Sequence, residues 1–185
     1  MKLNIHSILW GSKANGPGIR NVVWFQGCSI NCKGCFNPAT HSFQQIQLLE
    51  PKVLAEKIIV QGNKIEGITI SGGEPFDQVQ GLLELLDAVR NLSDMSVILF
   101  SGYTYEKICR MPESVEILKN VDVLIAGPFD SSCLQPKNLA GSSNKTYHFL
   151  TSKYSMNDFY SIPEAEIVID SEGNITYSGV VFINH

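Results

Sequence analysis

Short apolar runs rich in Val, Ile, Leu and Phe alternate along the chain with stretches whose apolar residues recur every three or four positions. The runs Leu3–Trp10, Asn21–Gln26, Gly67–Ser71, Ser96–Ser101, Val121–Ala126 and Thr146–Leu150 predict strands. Asp77–Arg90 is the clearest helix, with Val79, Leu82, Leu83, Leu86 and Val89 along one stripe. A second helix is predicted from Pro51 to Gln61, with Pro51 suited to its first turn and Gly62 to its cap. Shorter helices are expected at Tyr105–Cys109 and Glu113–Lys119. This alternation predicts an α/β fold with a largely parallel sheet, helices outside, and a site at the C-terminal edge of the strands. The tail reads differently. Glu166–Ile169 and Asn174–Val181 are strand-like and flank the turn Ser171-Glu172-Gly173. Residues 151–185 are therefore expected to form an antiparallel hairpin appended to a core of residues 1–150.

Composition narrows the class. The chain has 185 residues, enough for one domain with a real core, and 44% of them are hydrophobic. Lys and Arg number 14 against 18 Asp and Glu, a net charge of −4. With no basic block, binding to nucleic acid or an anionic membrane through bulk charge is not expected. No apolar run approaches the ~20 residues of a membrane span. The N-terminus mixes Asn4 and His6 into its apolar residues, unlike a secretion signal. A cytoplasmic protein is expected.

The five cysteines are Cys28, Cys32, Cys35, Cys109 and Cys133. An odd count argues against a disulfide framework and for a reducing compartment. Three of them form Cys28-x3-Cys32-x2-Cys35, directly after a strand. Three thiolates at this spacing can hold a four-iron cluster and leave one iron open to a substrate. The same loop with His41 could instead form a Cys3His zinc site. Cys109 and Cys133 have no neighbouring cysteine and read as ordinary thiols. A second motif, Gly67-Ile-Thr-Ile-Ser-Gly-Gly-Glu-Pro75, runs a strand into two glycines and an acid. Such a turn lets a ligand's head group reach the backbone. Further glycine-bearing loops, Asn15-Gly-Pro-Gly-Ile-Arg20, Ser101-Gly-Tyr103 and Gly141-Ser-Ser-Asn144, also flank strands.

Carried by these motifs, the chain resembles the radical S-adenosylmethionine enzymes. Within them it is similar to the small glycyl-radical-enzyme activases, in particular the anaerobic ribonucleotide reductase branch. The likeness covers about Ile8 to Leu150 and implies an incomplete (β/α) barrel. It implies that Cys28, Cys32 and Cys35 hold a 4Fe-4S cluster. It also implies S-adenosylmethionine contacts at Gly34, Phe36, Gly72, Gly73, Glu74, Ser101, Asn15 and Arg20, with Phe36 facing the adenine. The implied chemistry is reductive cleavage of S-adenosylmethionine to a 5′-deoxyadenosyl radical, which takes hydrogen from a glycine of a partner glycyl radical enzyme. Flavodoxin or ferredoxin would supply the electron. Some positions depart from the pattern. Gly34 stands where an aromatic residue usually precedes the third cysteine. Asn15 replaces an Asp that helps hold a monovalent cation. Ala126-Gly-Pro128 replaces an Asp-x-Lys segment. Two other functions fit the residues: a small radical enzyme acting on its own peptide or small molecule, and a non-enzymatic metal-binding module.

Overall fold

A computed structural model describes residues 1–60, 64–169, 172–173 and 175–179. Seven strands share one sheet: β1 (Leu3–Ser12), β2 (Arg20–Phe25), β3 (Gln47–Leu49), β4 (Gly67–Gly72), β5 (Ser96–Ser101), β6 (Val123–Ala126) and β9 (Thr146–Phe149). Their order is β3-β1-β2-β4-β5-β6-β9. The four central strands β2, β4, β5 and β6 are parallel, whereas β1, β3 and β9 join antiparallel. The largely parallel sheet expected from sequence is thus parallel only at its centre. The reason is connection length: residues 13–19 joining β1 to β2 are too few for a crossover of a dozen or more.

Alternation along the central strands sorts side chains onto two faces. Val23, Phe25, Ile68, Ile70, Val97, Leu99 and Leu124 point outward into the main core. There they meet α1 (Pro51–Ile59) through Leu54 and Ile58, and α2 (Val79–Leu92) through Leu82, Leu85, Leu86 and Val89. Burying each such side chain contributes about 1.5–3 kcal/mol. α2 begins later than the sequence suggests, because Pro75–Gln78 forms a 3-10 turn first. Leu85 lies at the buried centre of its stripe, while Val79 and Leu83 are only partly buried. Gly81 lets α2 approach β1, since a Cβ there would stand 2.7 Å from Leu3 Cδ2. The predicted end of α1, Gln61 and Gly62, lies outside the described residues. Two short helices follow, α3 (Tyr105–Ile108) and α4 (Ser114–Lys119).

The opposite face is divided. Ile98, Val123 and Ile125 pack with Leu139 and Phe159, whose ring meets Tyr147 and Phe149 edge-on at 5.7 and 5.8 Å. Tyr154, Met156 and Ile162 join this second cluster, so the chain after Leu150 runs back beneath the sheet. Beyond it, β10 (Ala165–Ile169) and β11 (Ile175–Gly179) form the antiparallel hairpin. Ser171, Asn174, Val180 and Val181, which the sequence places in its turn and second strand, lie outside the described residues. A further two-residue pair, β7 (Leu134–Gln135) with β8 (Gly141–Ser142), lies between β6 and β9. No helix of the described residues is long and apolar enough to cross a membrane.

Candidate active site

Parallel register places the ends of β2, β4, β5 and β6 at one edge, so the loops following them converge. One pocket at that edge is lined by Cys28, Cys32 and Cys35 from the first loop. Ser71 to Glu74 come from the second, Ser101 and Gly102 from the third, and Phe129, Gly141 and Lys145 from later segments. Asn15 and Phe36 line it too. Two cofactor positions expected from the resemblance do not. Gly34 supplies the turn between Cys32 and Cys35, with φ +73° and its back against Ser131. Arg20 is at the far end of β2. It is fully buried, and its guanidinium donates to Thr69 Oγ1, Ser96 Oγ, Tyr154 Oη and the carbonyls of Pro17, Ile68 and Ser96. Its donors are consumed in clamping the starts of β2, β4 and β5.

The cysteine loop is stitched to its neighbours. Gly73 N donates to Phe25 O and Glu74 N to Gly27 O, both at 2.8 Å. Asp77, from the 3-10 turn after Glu74, accepts from Ser29 N at 2.6 Å and Ser29 Oγ at 2.9 Å. Tyr103 Oη donates to the same carboxylate at 2.9 Å. Asp77 therefore orients the loop that carries the cysteines. Sequence reading missed it, because an acid in the first turn of a helix is expected for the helix's own sake. The Cys35 sulfur accepts from Asn37 N at 3.4 Å. Burial pushes the free Cys28 and Cys35 thiols up from their ordinary range.

Glu74 is fully buried. It accepts from Phe76 N at 3.0 Å, Ser101 Oγ at 2.9 Å and Gly102 N at 2.7 Å. Burial raises its carboxyl to about 7, against the pull of those three donors. A carboxyl poised near neutrality beside the glycine turn responds strongly to a cation placed next to it. Lys145 also lines the pocket, with Nζ donating to Gly127 O at 2.9 Å. Burial lowers its ammonium, while Cys32, Glu74 and Cys35 act to raise it. A lysine after a Gly-Ser-Ser-Asn turn carries no sequence signal of its own; it reaches the pocket only because β9 pairs with β6.

An apolar wall completes the pocket. Phe36 meets Phe129 with ring centroids 4.6 Å apart and lies against Gly141, where a Cβ would stand 2.6 Å from Phe36 Cε2. Gly141 has φ +74°, so its lack of a side chain serves both the turn and the ring. Trp24 and the hairpin residues Tyr177, Ser178 and Gly179 also line the pocket. Asn15 Nδ2 donates to Ser178 Oγ at 2.6 Å, tying the hairpin to the loop after β1.

The donor set bears on the metal. A single zinc ion, with Zn–S near 2.3 Å, needs all its donors within about 4 Å of one another. Among the described residues no group of three or more His, Cys, Asp or Glu side chains is arranged to hold a single metal ion, although His41 lines the same pocket as the three cysteines. Three thiols lining one pocket can each bind a different iron of a four-iron centre.

A family profile described as a 4Fe-4S single cluster domain matches residues 14–148. The anaerobic ribonucleoside-triphosphate reductase-activating protein of bacteriophage T4 is 30% identical over 137 residues, covering 71% of this chain and 84% of that protein. That of Haemophilus influenzae is 31% identical over 142 residues, 72% of this chain and 90% of that protein. The pyruvate formate-lyase-activating enzyme of Clostridium pasteurianum is 33% identical over 125 residues, 65% of this chain and half of that enzyme. The chain belongs to the 4Fe-4S single cluster domain family, in the glycyl-radical-activase branch of the radical S-adenosylmethionine enzymes.

Proposed function

We propose that this chain activates a glycyl radical enzyme by abstracting hydrogen from one of its glycines. Its sheet and helices would be the incomplete (β/α) barrel of the radical S-adenosylmethionine enzymes. The observation that carries the reading is the convergence of Cys28, Cys32 and Cys35 with Gly72, Gly73 and Glu74 on one pocket. The three thiolates would hold a 4Fe-4S cluster, which when bound supplies the electron that cleaves S-adenosylmethionine. The protein's own part is positioning. Glu74, ionised, and the Gly72-Gly73 backbone take the amino group. Lys145 supplies a positive charge for the carboxylate, in a chain where Ala126-Gly-Pro128 leaves that contact open. Phe36 and Phe129 offer an apolar surface to the nucleoside. The pocket walls exclude water from the radical, and Asp77 holds the cysteine loop in register. A flavodoxin or ferredoxin is the proposed donor, and the cytoplasm the proposed site of action.

Anaerobic reconstitution tests this. About four irons and four sulfides per chain are expected. Cys28→Ala, Cys32→Ala and Cys35→Ala should each abolish them, while Cys109→Ala and Cys133→Ala should not. Adding a glycyl radical enzyme should give a stable radical doublet in electron paramagnetic resonance, with 5′-deoxyadenosine formed in proportion. Efficient turnover of a free small molecule, with its deuterium passing into 5′-deoxyadenosine, would overturn the activase reading.

A further inference from the structure

The C-terminal hairpin presents its side chains the wrong way round for an element that merely packs on the body. Cross-strand pairing puts Ile167 opposite Tyr177 and Ile169 opposite Ile175, so these four share one face. That face looks into solvent, with exposures of 62%, 59%, 66% and 54% respectively. Glu166 with Ser178 and Val168 with Thr176 occupy the other face, where the polar pair Glu166 and Ser178 is tied to the body. Glu166 accepts from Ser12 Oγ and from Lys13 N, and Ser178 accepts from Asn15. An antiparallel ribbon with one solvated face ordinarily buries its apolar set and exposes its polar one. Here the register is reversed, and the latches to residues 12–15 hold it so. A one-residue slip would bury the apolar row instead, so the exposed row is a specified feature.

Two further observations say what the row is for. Tyr177 belongs to the exposed row and, with Ser178 and Gly179, also lines the pocket, so the row stands at the rim of the site. The family match ends at residue 148, and the hairpin lies wholly beyond it. It is an addition to the shared core, placed at the mouth of the pocket.

We propose that the outward face of β10–β11 is the docking surface for this chain's polypeptide substrate. It grips apolar side chains of the partner enzyme beside the main-chain segment that enters the pocket. This rests on the activase reading, because a substrate that is itself a folded protein must be held at the pocket rim while one glycine reaches the radical. The occupant is a polypeptide with an apolar patch flanking its glycine loop. A second copy of this chain is the competing occupant.

The test uses the reconstituted full chain and, as probe, the purified anaerobic ribonucleoside-triphosphate reductase of the organism that encodes it. The variants are Ile167→Glu with Ile169→Glu, and the milder Ile167→Thr with Ile169→Thr, which keeps the β-branched shape. Both pairs lie outside the pocket lining. Iron content, S-adenosylmethionine affinity and uncoupled cleavage should match the unmodified chain. Affinity for the reductase should fall about tenfold or more in the Glu pair and by a smaller factor in the Thr pair, as expected for central apolar contacts. The glycyl radical yield at limiting reductase should fall in step. Unchanged reductase affinity in both pairs would overturn the docking assignment while leaving the activase reading intact. A halving of molecular mass in the Glu pair on sizing would overturn it in favour of self-association. If the unmodified chain raises no radical in the reductase or in pyruvate formate-lyase, the activase reading itself fails; radical formation in either with undiminished affinity in both pairs overturns the docking inference alone.

Discussion

The carbonyl oxygen of Gly27 occupies the place where a side chain on Gly73 would begin. Gly72 is blocked in the same way by the backbone of Phe25, and its φ is +104°. The two glycines are therefore required by the contact between the β4 turn and the exit of β2, whatever ligand lies above them. The resemblance suggests that a bulky residue at Gly73 would weaken cofactor binding and spare the cluster; the packing says otherwise. Gly73→Val is expected to displace Gly27 and the adjoining Cys28. Reconstituted iron should fall together with S-adenosylmethionine affinity. Full iron content with normal folding in this variant would show that the loop yields without consequence.

Glu74 gives a pH signature whose sign is definite. Its carboxyl is raised from an ordinary value near 4.5 to about 7. A raised folded-state value means that its contribution to stability is complete below about 4.5 and is lost as pH rises through 7. The metal-free chain should therefore gain up to about 2–3 kcal/mol from this group on going from pH 8 to pH 5. Glu74→Gln should remove that component, measured as the difference between the two pH profiles of urea unfolding. Cation binding runs the opposite way: affinity for S-adenosylmethionine should decline as pH drops below about 7, and the Gln variant should lose that slope. Parallel profiles in the two chains would refute the assignment.

Lys145 is tested by subtracting the group it is proposed to meet. Lys145→Met should weaken S-adenosylmethionine binding by about tenfold or more, since a charge-assisted hydrogen bond contributes about 1.5–3 kcal/mol. Decarboxylated S-adenosylmethionine, which lacks the carboxylate, should bind the variant and the unmodified chain alike in equilibrium dialysis. An equal loss for both ligands would assign Lys145 a packing role only.

Arg20 should behave as a structural residue. Arg20→Ala leaves Thr69 and Ser96 hydroxyls and two strand carbonyls without their buried donor. A loss of about 3 kcal/mol or more is expected, or roughly 6–12 °C in Tm for a chain of this size. The folded fraction should keep its affinity for S-adenosylmethionine. A specific affinity loss with unchanged stability would return Arg20 to the site.

Asp122 is a second anchor far from the pocket. It accepts from Arg90 at 2.8 Å, Val97 N at 2.8 Å and Thr151 Oγ1 at 2.7 Å, and its partners hold the carboxyl below its ordinary range. Asp122→Asn should cost about 2 kcal/mol, reduced from the value for a fully buried pair because Arg90 is partly exposed. Chemical denaturation checks this, and the difference should narrow as pH falls below the ordinary carboxylate range and the native carboxylate takes up its proton.

Much of this was readable from order along the chain, because local rules govern it. Strands β2, β4 and β5 follow from runs of β-branched residues, and α2 from a 3.6-residue stripe. The cysteine loop and the Gly-Gly-Glu turn stand at strand ends, and parallel strands bring such ends to one edge as a matter of geometry. Other features depend on contacts between distant segments and leave no local trace. Arg20 looks like part of a glycine-rich binding loop, yet its direction follows from the inner pleat of β2, which aims it at Ser96 and Tyr154. Lys145 enters the pocket through an antiparallel pairing 20 residues removed in sequence, Ala126 with Thr146. The hairpin's alternation identifies it as a ribbon. Which face turns to solvent was set by Glu166 and Ser178 finding their partners at residues 12–15, more than 150 positions away, and no local pattern encodes a choice of that kind.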